Sequence, residues 1–369
     1  MVERLGGPAF PARGVGEMAS VLRCRRRART AASACLAGAA TLGALALLAA
    51  CTASKAGRTG AHTPLQAGYE KTIARVLPSV VEITAGSSTG SGVVFDRHGD
   101  IVTNAHVVGT VKKFKVRVST TSQPLNARLI GVFTPDDLAV IKVTEGANDL
   151  KPARWANSAH ARVGQIVLAM GAPYGLTDSV TQGIVSATGR IVTGPTIRGK
   201  PPTVIVDAIQ TSAAINPGNS GGALVLLSGR VLGIPTLTAE DPEIGGPAAG
   251  IGFAIPGNTA VDIGRQLVKT GKVTRSGRAS LDMVGETHVN SSRKPDGVTV
   301  DRAAPGGAAA AAGIRPGDVI VGVAGQPTPS VADLENVLVG YRPGERVKVE
   351  VLRGGNPRQA TATLGSLRS

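Results

Sequence analysis

Short apolar runs separated by turn residues fill the chain between residues 73 and 255, and this spacing constrains the fold more than any other feature. The runs are rich in valine and isoleucine, which favour strands, and they end at glycine, proline, asparagine or aspartate, which favour tight turns. Many short strands at this spacing predict antiparallel barrels or sandwiches, and therefore a mostly β fold.

The pattern changes after Pro256, where apolar residues recur at helical spacing, with Ala260, Ile263 and Leu267 on one face. Beyond this helix, predicted strands at 298–300, 319–323, 346–352 and 360–364 alternate with predicted helices at 307–312 and 331–339. We therefore predict a larger β domain over residues 69–272, closed by one helix, and a smaller α+β domain over residues 277–365.

The first 51 residues have the composition of a leader. Five arginines between residues 23 and 29 precede an uncharged stretch rich in alanine and leucine, which ends at Cys51. The residues before Cys51 resemble the lipobox of bacterial lipoproteins, which would make Cys51 a lipidated first residue. Alternatively, the stretch is long enough to remain as a membrane anchor. Both alternatives place the rest of the chain, after a flexible linker at residues 52–68, on the extracytoplasmic face of the membrane unless it is released.

The net charge of +15 raises the possibility of nucleic-acid binding. Aromatic residues make up only 2% of the chain, and no basic run with interleaved aromatics follows the leader. We therefore predict a solvated basic surface and no nucleic-acid partner. The three cysteines, at positions 24, 35 and 51, leave no pair in the folded part, so its stability must come from packing. No phosphate-binding loop of an ATPase is present, and no cofactor or metal is predicted.

The pentapeptide GNSGG at residues 218–222 is the first candidate for catalytic chemistry. Its glycines allow a sharp turn that would aim the N–H groups of Gly218 and Ser220 into one small space. Such an arrangement suits a serine nucleophile with an oxyanion hole. Taken alone, however, any glycine-rich turn can contain a serine.

Two further residues complete a catalytic set. His106 lies in VTNAHVV at a predicted strand end, and Asp137 lies in PDDLAV at the start of an apolar run. Taken alone, such a histidine is more often a core or surface residue, and such an aspartate more often belongs to a turn. Together with Ser220 they occur in the order His, Asp, Ser within one β domain, which is the order of chymotrypsin-like enzymes.

These stretches resemble the HtrA (Deg) family of trypsin-like serine proteases, in its actinobacterial membrane-attached type. The matching segments are residues 90–94, 102–108, 137–140, 175–186, 209–224 and 251–256. The resemblance implies a chymotrypsin-like double β-barrel followed by a PDZ domain, and a possible homotrimer. It also implies that His106 is the general base, Asp137 its orienting carboxylate and Ser220 the nucleophile, with the amides of Gly218 and Ser220 forming the oxyanion hole.

Asp136 is a rival for the role of Asp137. If the segment is extended, neighbouring side chains point to opposite faces, so only one carboxylate can reach His106. The family's aspartate directly precedes the Leu-Ala-Val run, which selects Asp137.

Substrate preference is predicted from the residue six positions before the nucleophile, which is Ala214. In trypsin-like enzymes an acidic residue there accepts lysine or arginine. Because an uncharged pocket cannot pair with a cation, we predict cleavage after small or branched aliphatic residues. Ile251 and Ala254 are predicted to line the same pocket.

The segment at residues 310–320 resembles the PDZ domain of the same family. Such domains bind the C-terminus of a peptide at a sheet edge, and loop amides hold its carboxylate. Here that loop would comprise Ser280, Leu281, Asp282 and Met283. Asp282 replaces the family's usual glycine, and its charge would repel a carboxylate. Peptide binding is therefore expected to be weak, directed to internal sequences, or lost, and the alternative role is that of a spacer.

The sequence as a whole predicts an ATP-independent serine endopeptidase that acts on unfolded or damaged exported proteins. The alternative is a catalytically idle scaffold that holds peptides or signals stress.

Overall fold

The computed structural model describes residues 63–118, 123–171, 179–194, 203–216, 218–241 and 246–369. The predicted leader, including Cys51, and most of the predicted linker lie outside the described residues. Within the described ranges, no helix combines the length and the apolar character needed to cross a bilayer.

The first described element is helix α1, Pro64–Val76, which begins inside the predicted linker. Thr63 caps the helix by accepting a hydrogen bond from the N–H of Gln66 at 3.2 Å, and proline occupies its first position. The buried hydroxyl of Thr72 donates to the carbonyl of Leu227 at 2.8 Å. Residues 64–68, which were predicted to belong to the flexible linker, are instead part of this helix, and the helix is held on the β domain by the bond from Thr72.

Six strands form a first closed barrel in the order β1-β2-β3-β6-β5-β4. They are β1 Val80–Ala85, β2 Ser88–Val94, β3 Asp100–Asn104, β4 Lys113–Val118, β5 Leu125–Phe133 and β6 Leu138–Val143. The short helix α2, Ala105–Val108, follows β3. Alternate residues of the strands, such as Val81, Ile83 and Ile101, fill the barrel interior, as the period of a strand requires.

Six more strands form a second closed barrel in the order β10-β11-β12-β9-β8-β7. They are β7 Ile166–Gly171, β8 Ser179–Thr193, β9 Val204–Thr211, β10 Ala223–Leu226, β11 Val231–Asp241 and β12 Gly246–Pro256. The two barrels confirm the predicted mostly β, chymotrypsin-like architecture.

The barrels share an apolar junction. Val93 and Phe133 of the first barrel and Leu168 and Met170 of the second are fully buried in one cluster. Helix α3, Gly257–Thr270, adds its apolar face to this cluster, as its helical period predicts. The junction matters for function because the predicted site residues come from both barrels.

A smaller α+β domain follows. Its main sheet has the order β14-β15-β16-β18-β19, with β17 paired to β16, and β13 pairs with β20 in a second sheet. The elements are β13 Ala279–Ser280, β14 Met283–Val289, β15 Pro295–Ala303, α4 Ala308–Ala311, β16 Val319–Val323, β17 Gln326–Pro327, α5 Val331–Val339, β18 Arg346–Arg353, β19 Asn356–Thr363 and β20 Gly365–Ser366. Strand β14 ends the main sheet, and the N–H of Val331 in α5 donates to Thr287 Oγ1 of β14 at 3.2 Å.

A cavity of about 1540 Å³ is lined by β14, α5 and parts of both barrels. Leu281, Met283 and Leu334 contribute apolar surface to it, and Asp136 and Arg278 contribute charge. The groove at the edge of the small domain is therefore continuous with the surface beside the predicted catalytic aspartate.

Candidate active site

His106 stands at the start of α2, directly after β3, and Asp137 is bound closely to this corner. The main-chain N–H of His106 donates to Asp137 Oδ1 at 2.9 Å. The main-chain N–H of Ala105 and the side-chain Nδ2 of Asn104 both donate to the carbonyl oxygen of Asp137, at 3.0 and 2.9 Å. These three hydrogen bonds therefore fix the position of Asp137 relative to the backbone of residues 104–106.

The two side chains form the central pair of the site. His106 Nδ1 lies 2.7 Å from Asp137 Oδ2. The carboxylate is 5% exposed, whereas the imidazole is 47% exposed. A carboxylate on Nδ1 keeps the proton on that nitrogen and leaves Nε2 as the basic atom, as a general base requires.

Burial lowers the pKa of His106, but the hydrogen bond and the negative charge of Asp137 together outweigh it. The pKa of His106 therefore lies above its ordinary value of 6.5. The physical cause is that the protonated imidazole is stabilised by the adjacent carboxylate.

Thr236 supplies a contact that sequence reasoning missed. Its hydroxyl, which is buried in β11 of the second barrel, donates to Asp137 Oδ2, the same oxygen that faces His106. Threonine is common in strands, so nothing in the local sequence indicated that Thr236 would contact Asp137. Its contact also ties the carboxylate of the first barrel to the second.

Asp136 and Asp137 separate as predicted, but for a different reason. The segment is not extended: residues Thr134–Asp136 form a 3-10 turn, and Asp137 follows in the left-handed conformation with a φ of 52°. The turn, rather than strand alternation, points the two side chains apart. Asp137 thus reaches His106, and Asp136 points elsewhere.

Asp136 pairs with Arg278, the residue that precedes β13 of the small domain. Arg278 Nη1 donates to Asp136 Oδ1 at 3.0 Å and to the carbonyl of Pro135 at 2.8 Å. Their side chains are 5% and 11% exposed. Burial raises the pKa of Asp136 to about 6, and the charge and hydrogen bond of Arg278 only partly oppose this rise.

Ser220 lies in a tight turn between β9 and β10, and this turn packs against the corner that carries His106. Gly218 and Gly221 have φ values of 105° and 81°, which favour glycine. A Cβ on Gly221 would lie 2.2 Å from the carbonyl oxygen of Ser91 and 3.2 Å from the N of Asn104. Glycine is therefore needed for this close approach. Within the described part of the chain, the Ser220 hydroxyl forms no hydrogen bond with His106.

The predicted oxyanion donors belong to the same turn. Among the described residues, the N–H groups of Gly218 and Ser220 donate to no other protein group. The carbonyl oxygens of these two residues both accept hydrogen bonds from Ser91 of β2. The turn thus has two unused donors and two anchored acceptors.

The three predicted specificity residues differ in exposure. Ala214 is exposed, and its carbonyl accepts hydrogen bonds from Thr181 Oγ1 at 2.7 Å and from Asn219 Nδ2 at 3.3 Å. Ile251 is 37% exposed. Ala254 is fully buried in the core of the second barrel, where the strand alternation of β12 places its side chain. The structure therefore does not bring Ala254 to a surface that a substrate could contact.

The residues predicted to form the carboxylate-binding loop lie at the start of the small domain, and each makes specific contacts there. Leu281 is 2% exposed and packs in the core of the small domain, while its carbonyl accepts a hydrogen bond from the N–H of Ala309 at 2.8 Å. The N–H of Asp282 donates to Ser280 Oγ at 2.8 Å. Met283 begins β14 and is partly buried against the same core.

Asp282 adopts the left-handed conformation, with a φ of 54°, that a glycine would adopt freely. Its Oδ2 accepts a hydrogen bond from the N–H of Ala308 at 3.3 Å. A Cβ on Gly365 would lie only 2.0 Å from that oxygen. The carboxylate is thus turned towards α4 and β20. It does not line the cavity, although Leu281 and Met283 do, so the expected repulsion of a bound carboxylate does not follow from its position.

Comparison with known protein families finds two matches in the chain. Residues 90–234 match the trypsin-like peptidase domain, and the match runs from within β2 to within β11. Residues 261–364 match the PDZ domain, and this match begins within α3.

Several proteins are similar to this chain. A probable periplasmic serine endoprotease, DegP-like, from Pseudomonas savastanoi pv. phaseolicola is 38% identical over 286 residues, which cover 76% of this chain and 56% of that protein. The periplasmic pH-dependent serine endoprotease DegQ of Escherichia coli strain K12 is 34% identical over 287 residues, covering 76% and 60%. The chain thus spans less than two thirds of the length of these curated relatives.

Solved structures extend the similarity to the fold. The serine endoprotease from Yersinia pestis matches with a TM-score of 0.54 and 34% identity, over 81% of this chain and 98% of that one. The HtrA-type protease AlgW with decapeptide matches with a TM-score of 0.53 and 29% identity, also over 81% and 98%.

Proposed function

The chain belongs to the HtrA (DegP-like) family of trypsin-like serine proteases with a PDZ domain, and from that premise we propose that it is an ATP-independent serine endopeptidase. One observation carries this proposal. A buried carboxylate holds His106 through a 2.7 Å hydrogen bond, beside a glycine-rich turn that contains Ser220 and two unused amide donors.

The proposed roles follow from the chemistry of the groups. As Ser220 Oγ attacks the carbonyl carbon of the scissile bond, His106 Nε2 takes the hydroxyl proton. The amides of Gly218 and Ser220 stabilise the oxyanion that forms. When the intermediate collapses, the amine leaves with the proton from His106, and an acyl ester remains on Ser220. Water, deprotonated by the same imidazole, then hydrolyses the ester.

Asp137 has a positioning role in this mechanism. It keeps the Nδ1 proton in place and stabilises the imidazolium that forms in each step. The hydrogen bond from Thr236 supports this role because it fixes the carboxylate oxygen that faces His106.

Unfolded or damaged exported proteins are the proposed substrates. The curated relatives are named periplasmic endoproteases, and the leader pattern predicts export. Cleavage after small or branched aliphatic residues is supported by Ala214 and Ile251, which are uncharged and accessible. Ala254 is fully buried and is not proposed to contact the substrate.

Several finer features are proposed from the sequence and the family. The chain is proposed to be membrane-attached on the extracytoplasmic face through its leader, as in the actinobacterial type, and to assemble as a homotrimer. The small domain is proposed to bind peptides in the groove between β14 and α5. A solved family member, AlgW, carries a decapeptide, and the groove here has an apolar lining.

Labelling with a fluorophosphonate probe tests the proposed activity. The full-length chain is expected to be labelled and to degrade casein, because the probe reacts only with an activated serine. The variant Ser220→Ala is expected to lose both properties, while Ser292→Ala, which changes an exposed serine in the small domain, retains them. A chain that neither labels nor cleaves casein, with and without added activating peptide, would contradict the proposal.

A further inference from the structure

Ser91 makes two hydrogen bonds to the turn that contains Ser220. Its main-chain N–H donates to the carbonyl oxygen of Ser220 at 2.9 Å. Its hydroxyl donates to the carbonyl oxygen of Gly218 at 2.5 Å. These are the two residues whose N–H groups are the proposed oxyanion donors, so one residue holds both of them by their carbonyls.

Ser91 is available for these bonds because of its place in the first barrel. Strand β3 pairs with β2 only at Val93 and Val94, so the edge of β2 at Ser91 is open to the turn from the second barrel. On the other edge, Ser91 pairs with Glu82 of β1. The turn therefore continues the hydrogen bonding of the sheet where β3 leaves it.

Ser91 is itself held rigidly. It is fully buried, and its carbonyl oxygen accepts a hydrogen bond from Thr103 Oγ1 of β3 at 2.6 Å. A Cβ on Gly222 would lie 3.2 Å from the Cβ of Ser91 and 2.2 Å from the carbonyl oxygen of Met170. The turn is thus closely packed between Ser91 of the first barrel and Met170 of the second.

Rigidity at this point has a chemical consequence. An oxyanion hole stabilises the transition state because its donors are aimed before the reaction begins. Gly218, with a φ of 105°, has wide backbone freedom and would lose its orientation without an external contact. The hydroxyl of Ser91 provides that contact, since it holds the peptide plane that follows Gly218.

We infer that Ser91 is a positioning residue that holds the oxyanion donors in the catalytic orientation. The inference rests on the proposed endopeptidase function and adds a residue to it. Ser91 acts through the carbonyl groups of the turn.

The variant Ser91→Ala removes the hydroxyl but keeps the main-chain bond to Ser220. We expect kcat per fluorophosphonate-titrated site to fall by about 10-fold to 100-fold, less than the roughly 10²- to 10³-fold loss for deletion of a donor itself. KM for a peptide substrate is expected to stay within about twofold. Affinity for a matching peptide aldehyde, whose adduct places an oxygen in the oxyanion hole, should fall in parallel with kcat.

Thr72→Val is the matched control, because it also removes a buried hydroxyl that donates to a distant carbonyl. It is expected to lower the melting temperature by a similar amount and to leave kcat per titrated site unchanged. Ser91→Cys keeps a side chain of similar size with a weaker donor and should give an intermediate kcat.

Three results would overturn the inference. The first is a kcat per titrated site in Ser91→Ala within about twofold of the unmodified chain. The second is a Ser91→Cys variant with full kcat, which decides the matter if Ser91→Ala fails to fold. The third is an equal loss of kcat per site in Thr72→Val. If the unmodified chain itself neither labels nor cleaves, the proposed function fails first and the inference fails with it.

Discussion

The catalytic centre and the loop that opens the small domain both contain an aspartate in the left-handed conformation, with φ values of 52° at Asp137 and 54° at Asp282. At the catalytic centre the carboxylate is buried and accepts from the backbone of His106, its imidazole and Thr236. At the loop, Asp282 Oδ2 accepts from the N–H of Ala308, and the residue is only half-buried.

The difference shows that backbone conformation does not make an aspartate functional. What matters is how many donors converge on the carboxylate and whether one of them can titrate. Asp137 receives donors from both barrels and faces an imidazole, so its charge controls the protonation of a base. Asp282 has the same backbone geometry, but its carboxylate only supports the local fold.

The largest expected effect comes from neutralising the catalytic carboxylate. Asp137→Asn keeps the size of the side chain but removes the charge and the preference for one imidazole tautomer, so kcat should fall by about 10⁴-fold. The measurement is steady-state hydrolysis of a peptide substrate. Asp207→Asn is the control, because Asp207 is exposed and also left-handed, with a φ of 56°. Equal activity in both variants would show that Asp137 has no special catalytic role.

Arg278 lies between the two regions and provides the next test. Arg278→Ala leaves the buried Asp136 carboxylate without its guanidinium partner, which should lower the free energy of unfolding by about 3–5 kcal/mol. Asp136→Asn should cost less, because the Arg278 guanidinium keeps its hydrogen bond to the carbonyl of Pro135 and gains an amide oxygen in place of the carboxylate. Denaturant unfolding of both variants measures the difference, and the prediction is wrong if Asp136→Asn is the more destabilised.

The pKa of Asp136 predicts a pH dependence of stability. Because burial raises this pKa from 3.8 to about 6, the folded chain holds a proton that the unfolded chain has already released. This group therefore makes the free energy of unfolding decrease as pH rises from about 4 to 6, by at most about 1.4 kcal/mol per pH unit. Asp136→Asn should remove that part of the slope. Identical slopes in both chains would contradict the prediction.

Thr236 tests the support of the catalytic carboxylate. Thr236→Val preserves shape and removes one donor to Asp137, so we expect kcat to fall by about tenfold, equivalent to about 1.4 kcal/mol. Without this donor the negative charge on the carboxylate is less dispersed and stabilises the protonated imidazole more strongly, so the acid limb of the pH–rate profile should move to higher pH. An unchanged profile together with unchanged kcat would exclude the supporting role.

The smallest effect is expected at Asp282. Asp282→Gly removes the bond to Ala308, but glycine adopts the positive φ without strain, so the two changes largely cancel. The free energy of unfolding should change by less than about 1 kcal/mol. A loss of more than about 2 kcal/mol would show that the Asp282 carboxylate stabilises the fold strongly. The difference drawn here between Asp282 and Asp137 would then be smaller.

Several sequence predictions agree with the structure because they depend on local periodicity. The predicted helix at 331–339 coincides with α5, and the predicted strand at 319–323 coincides with β16. Predictions that depended on an assumed local conformation fared differently. The expectation that only one of Asp136 and Asp137 can reach His106 assumed an extended segment, whereas a 3-10 turn separates the two side chains. Ala254 was assigned to a pocket, but the alternation of β12 buries it.

By itself, the sequence determined the mostly β architecture, the small domain and the order of His106, Asp137 and Ser220 along the chain. Only the tertiary structure decided which groups support them: Thr236 on Asp137, Arg278 on Asp136 and Ser91 on the turn of Ser220. The physical reason is range. Strand and helix periods are set by neighbouring residues, whereas a hydrogen-bond donor can be recognised only after folding brings it to its acceptor from a distant segment.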